Sequence, residues 1–166
     1  HEYYAYSRGW SEFGYRRDFD IQLGGLTNIN VDISIRNWFY DEVFPKAEQK
    51  LVENGFKFFE YTLGYFPENE RMRHSTVDVN DGRQSFGIGQ TMSFIVEGKR
   101  NLDSVYLIER RATSQYLTAL SLIETAHKNN SEIRKIVKQA RENDLDPDKK
   151  VAIRLEHFKG EEPLAY

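Results

Sequence analysis

The most regular run of apolar and polar positions lies late in the chain. Val105, Ile108, Ala112, Tyr116, Ala119, Leu120 and Ile123 recur every three or four residues, the spacing of one face of an α-helix. The pattern predicts a long amphipathic helix from Asp103 onward, its stripe packed on a sheet, with Asp103 or Ser104 able to cap its start. A second helix is predicted from Ser131, capped by that serine, with Ile133, Ile136, Val137 and Ala140 facing inward. Its charged residues Glu132, Arg134, Lys135, Lys138, Arg141 and Glu142 form a solvated face. Earlier, Phe39, Val43, Ala47 and Leu51 share one face of a helix over 38–54. Pro45 marks a kink or the first turn of its main part, and Gly55 suits the left-handed position that ends it.

Strand signals are shorter. Residues 56–62, rich in Phe and Tyr, read as one strand. Val151, Ile153 and Leu155 alternate with Ala152, Arg154 and Glu156 to predict another. The stretch 22–28, with Gly24 and Gly25 paired, reads as a turn; it lacks the G-x-G-x-x-G spacing of a phosphate cradle. Residues 1–19 hold Tyr3, Tyr4, Tyr6, Trp10, Phe13, Tyr15 and Phe19 without either period. They are expected as an irregular loop, either a packed aromatic cluster or the wall of a substrate groove.

The stretch 91–100 organises the rest. Phe94, Ile95 and Val96 form an apolar run that ends at Glu97, entered from the glycine-punctuated segment 85–90 and followed by the long helix. This reads as strand, acidic residue, tight turn and helix, with a carboxylate at the carboxyl end of a buried strand. Open α/β sheets bind ligands beyond such ends. A structural carboxylate that caps the turn is the alternative role for Glu97. The polar loop 73–84 precedes it, with Asn80, Asp81 and Gly82 as a turn signal and too few ligand positions for a calcium loop. In that loop the planar fork of Arg83 suits an anionic substrate group. His74 is either a second donor or a solvated side chain.

Composition narrows the classes. Hydrophobic residues at 39% and charged residues at 30% describe an ordinary folded chain. A net charge of −3 without any basic run gives no footprint for nucleic acid, and no apolar stretch is long enough to span a bilayer. With no cysteine, any metal site must use His and carboxylate ligands.

The segment 89–126, headed by Ser93-Phe94-Ile95-Val96-Glu97, resembles the C-terminal part of zinc carboxypeptidases of the M14 type. His1-Glu2-Tyr3-Tyr4 resembles the point where that family's third zinc ligand leaves its strand. The resemblance covers residues 1–129. It implies an α/β fold with part of a mixed β-sheet flanked by helices, as in the zinc carboxypeptidase and phosphorylase/hydrolase-like folds, truncated on the N-terminal side. It further implies one zinc ion with His1 as one ligand, the H-x-x-E pair lying before residue 1. Glu97 would be the general base that activates the metal-bound water, and Arg83 and His74, chosen above for their own chemistry, would then be the substrate-binding residues.

The implied substrates are peptides cleaved at their C-terminal amino acid, or related acyl-amino acids, and the implied setting is secreted or periplasmic. The family's covering tyrosine has no counterpart between Phe66 and Phe94. Residues 1–145 are then expected to be the C-terminal half of a catalytic domain, inactive alone and partnered by the missing N-terminal half. Residues 146–166 would be a linker and the first strand of an accessory β domain. The rival class is a non-catalytic peptide- or carbohydrate-binding module on the same fold, with Glu97 structural.

Overall fold

The computed structural model describes the backbone of residues 2–4 and, with side chains, residues 18–63, 76–100 and 103–154. It is an α/β arrangement built on a four-stranded sheet of order β1-β4-β2-β3. The strands are β1 (Glu2–Tyr4), β2 (Ile21–Gly24), β3 (Phe58–Glu60) and β4 (Ile95–Arg100). The sheet is mixed: β4 runs parallel to β1 and antiparallel to β2, while β2 runs parallel to β3.

Helices pack on one face of this sheet. α1 (Ile33–Trp38) starts at Asp32, whose side chain accepts from the Ser34 amide. It runs through a π segment, Phe39–Val43, directly into α2 (Phe44–Glu53). Pro45 stands in the first turn of α2 and has no N–H to return to the turn before it, which is where the helix widens. Gly55 ends α2 at φ +75°, the left-handed conformation expected of it. Leu23, Trp38, Phe39, Val43 and Ala47 form the main core, joined by the partly buried Phe44, Phe58, Phe94 and Val96. Ile21, Leu51 and Phe56 form a second cluster. α5 (Asn130–Asp144) adds Ala140 to a third with Leu26, Val31 and Ile35, as its apolar spacing predicts.

Several sequence expectations are corrected. The glycine-paired turn at 22–28 is instead the buried strand β2 and its exit. A Cβ on Gly24 would lie 2.7 Å from Arg83 Nη1 and from Tyr61 Cβ, and one on Gly25 would lie 2.5 Å from the Phe39 ring. Both glycines serve close packing, not a turn. The strand predicted over 56–62 is only Phe58–Glu60. The end of the expected loop 73–84 and most of the glycine-punctuated segment 85–90 form the short helix α3 (Gly82–Ile88), because Asp81 caps it by accepting from the Arg83 and Gln84 amides. Residues 2–4 are strand, while the aromatic positions over 5–17 lie outside the described residues. Residues 151–154 are not strand, with Ile153 97% exposed; Asn30 instead ties that segment down through two hydrogen bonds with the main chain of Ala152, each 2.8 Å.

The long helix, α4 (Ile108–Lys128), begins later than predicted, after Leu107 at φ 51°. Its rotation also differs. Val105, Ile108, Tyr116 and Ile123 are exposed, and the buried positions are Ser114, Thr118, Ser121 and Thr125. These small side chains let α4 lie close against α2 and β4. Two of these hydroxyls are satisfied inside the helix: Ser114 Oγ donates to the Arg111 carbonyl at 2.9 Å and Thr118 Oγ1 to the Ser114 carbonyl at 2.8 Å.

Candidate functional site

Glu97 is the third of the six residues of β4 and so lies within the strand, not at its carboxyl end. The β4 run therefore does not break at the acidic residue; it continues through Gly98, Lys99 and Arg100, paired with β1. Side chains alternate along a strand. Val96 joins the helix-covered core, and a Cβ on Gly98 would meet Gln115 of α4 at 2.3 Å. Glu97 therefore projects from the opposite face, where it is only 6% exposed.

Across the antiparallel ladder Glu97 faces Gln22, and Ile95 faces Gly24. Residues directly opposite share a face, with Cβ atoms about 5 Å apart. Gln22 is fully buried. Its Nε2 donates to the Glu60 carbonyl at 3.4 Å, while its Oε1 is buried without a hydrogen-bond partner.

Arg83 reaches the same face from α3. Its Nη1 and the Ile95 Cγ2 crowd the point where Gly24 lacks a Cβ. Two anchors hold it there. Gln84 Oε1 accepts from the Thr27 and Asn28 amides at 3.3 and 3.1 Å, fixing α3 to the exit of β2. Ser93 Oγ donates to the Arg83 carbonyl at 2.7 Å, tying α3 to the entry of β4. The guanidinium lies 5.3 Å over the Tyr61 ring and bonds Asp81 Oδ2 at 3.3 Å. Burial lowers its proton affinity and the neighbouring Asp81 raises it; a guanidinium still carries its charge at neutral pH. The Arg83 side chain is 2% exposed, so its cation is held within the structure.

The face thus carries Glu97 opposite Gln22 and, at the neighbouring rung of Gly24 and Ile95, the Arg83 guanidinium reaching in from α3. His1 and His74 lie outside the described residues; Glu2, bonded to His1, pairs with Gly98, the residue after Glu97. Among the described residues no three of His, Cys, Asp and Glu gather as a metal-holding cluster. Gln22 and Tyr61 are the site residues that sequence reasoning missed. The alternation of Asp20 and Gln22 with Ile21 and Leu23 carried the signal, but the two glycines that follow read as a turn.

No family model matches the chain, and no solved structure matches it. Over 128 residues it is 29% identical to Carboxypeptidase 2 of Trichophyton rubrum, an alignment that covers 73% of this chain and 24% of that protein. The chain spans about a quarter of the length of that relative. The similarity supports a carboxypeptidase-like relationship.

Proposed function

We propose that this chain carries the general base of a carboxypeptidase-like, zinc-dependent hydrolase that cleaves peptides at the C-terminal residue or related amides. The reading rests on one observation above others. In a chain similar to a protein named as a carboxypeptidase, Glu97 is a carboxylate buried on a central strand, on one face with a buried cation.

In this reading His1 is one zinc ligand, and the remaining donors come from elsewhere in the protein. A zinc ion held by His and carboxylate ligands supplies a water activated for attack at neutral pH. Glu97 takes a proton from the attacking water and delivers it to the departing amine nitrogen. The sheet holds its carboxyl in one place between the two transfers. Arg83, on the same face, is the cation for the substrate's free carboxylate once substrate binding uncovers its guanidinium, which is 2% exposed in the free chain, and His74 is a second donor for it. With one ligand of the set, the 166-residue chain is inactive alone.

The test is zinc content and amide hydrolysis by the full-length product of the gene. We expect stoichiometric zinc and turnover that chelation abolishes. Glu97→Gln lowers kcat by about a thousandfold while the protein stays folded. A metal-free protein, or a Glu97→Gln variant with wild-type turnover, would sink the proposal.

A further inference from the structure

A buried acceptor with no donor is rare in folded proteins, because its lost hydration is not returned. Gln22 Oε1 is such an acceptor, in a side chain with no exposed surface. The amide orientation is set by Nε2, which donates to the Glu60 carbonyl. Packing alone does not call for an amide here, since a methionine fills nearly the same volume with no polar atom to bury.

The residue directly across from it is Glu97. An ionised carboxylate only accepts hydrogen bonds, whereas a protonated one has an O–H to donate. An acceptor at Gln22 Oε1 therefore offers nothing to a charged Glu97 and suits a protonated one.

We infer that Gln22 is a positioning residue for Glu97, its Oε1 accepting the hydrogen that the Glu97 carboxyl carries between proton uptake and release. The inference rests on the general-base reading of Glu97. The proton passes from the attacking water to a Glu97 oxygen, is shared there with Gln22 Oε1, and leaves on the departing amine nitrogen. Gln22 forms no covalent bond and no redox change occurs. The pairing steadies the carboxyl in its protonated state, so its effect falls on turnover and not on substrate binding.

The experiment compares wild type, Gln22→Met, Glu97→Gln and the double variant in the full-length protein, measuring kcat, KM and the thermal midpoint. For Gln22→Met we expect kcat to fall about tenfold or more, KM to stay within about twofold, and the midpoint to change little, the lost bond to the Glu60 carbonyl being set against one fewer buried unpaired oxygen. In the Glu97→Gln background the methionine should have no further effect on kcat, as two residues acting through one step require. Wild-type kcat in Gln22→Met, alongside an inactive Glu97→Gln, overturns this inference and leaves the general base standing. A fully active Glu97→Gln removes the general base itself. A Gln22→Met protein that fails to fold also overturns the inference, by showing that the amide is needed for structure.

Discussion

Arg110 grips Asp20 through both oxygens: its Nε lies 2.8 Å from Oδ1 and its Nη2 2.6 Å from Oδ2. Asp20 is only 7% exposed and also accepts from the Lys57 amide at 2.8 Å. The guanidinium lies 4.7 Å over the Phe56 ring and donates to the Gly55 carbonyl at 2.8 Å. One pair of side chains thus joins the entry of β2, the turn after α2 and the first turn of α4. Truncating Arg110→Ala leaves a buried carboxylate with its main-chain donor alone. We expect a loss of about 2 kcal/mol of unfolding free energy, read from urea denaturation. Asp20→Asn should cost less when made in the Arg110→Ala protein than in wild type, because the two changes remove one interaction.

The two glycines on the inner ladder differ in what a methyl group would meet. At Gly24 it would strike Tyr61 Cβ, which is fixed to the backbone, together with Arg83 Nη1. At Gly98 it would meet only the far end of Gln115, which can turn aside. Gly24→Ala should therefore cost about 2 kcal/mol by overpacking, and Gly98→Ala well under half of that. Equal thermal shifts in the two variants would contradict this packing.

Asp18 gives the protein an acid limb. Hydrogen bonds from Lys57 and then Lys99 hold its carboxyl down from 3.8 to about 2. A carboxyl with a depressed folded-state pKa contributes stability that is complete above its unfolded value and fades as the pH drops below it. The contribution should be present above about pH 4.5 and disappear toward about pH 2. Lys57→Ala should flatten the fall of unfolding free energy across that window and leave the slope above pH 6 unchanged. Denaturation at stepped pH values measures both.

How far the chain announces its structure depends on whether one principle decides each element. The π segment and α2 are legible as one helical run because Phe39, Val43, Ala47 and Leu51 repeat along it and Gly55 stops it, and all four apolar residues are buried. β4 is legible from its apolar run, which is how Glu97 stands out. β2 was not, because Gly24 and Gly25 act through close approach to Arg83 and Phe39, contacts made by distant parts of the chain. α3 was hidden for a related reason: Asn80-Asp81-Gly82 signals a turn, and the same Asp81 side chain that suits a turn also caps a helix. Of the site, Glu97 on a strand is visible in the sequence, but its place in mid-strand is not; its pairing with Gln22 depends on register, which only the sheet fixes.

The rotation of α4 gives the sharpest test of that limit. Apolar spacing would turn Ile108, Tyr116 and Ile123 inward, yet they are 51%, 63% and 66% exposed while Thr118 has no exposed surface. A small hydroxyl residue whose oxygen is satisfied inside its own helix permits the closest approach to α2. An isoleucine in its place would hold the helices apart. Ile123→Lys and Tyr116→Gln should therefore change stability by no more than about 0.5 kcal/mol, and both should improve solubility by breaking an apolar surface. Thr118→Leu should cost about 2 kcal/mol by forcing bulk between α4 and its neighbours. Chemical denaturation of the three variants decides between the two rotations. A large loss for Ile123→Lys with a neutral Thr118→Leu would turn the helix over and place the apolar stripe against the sheet.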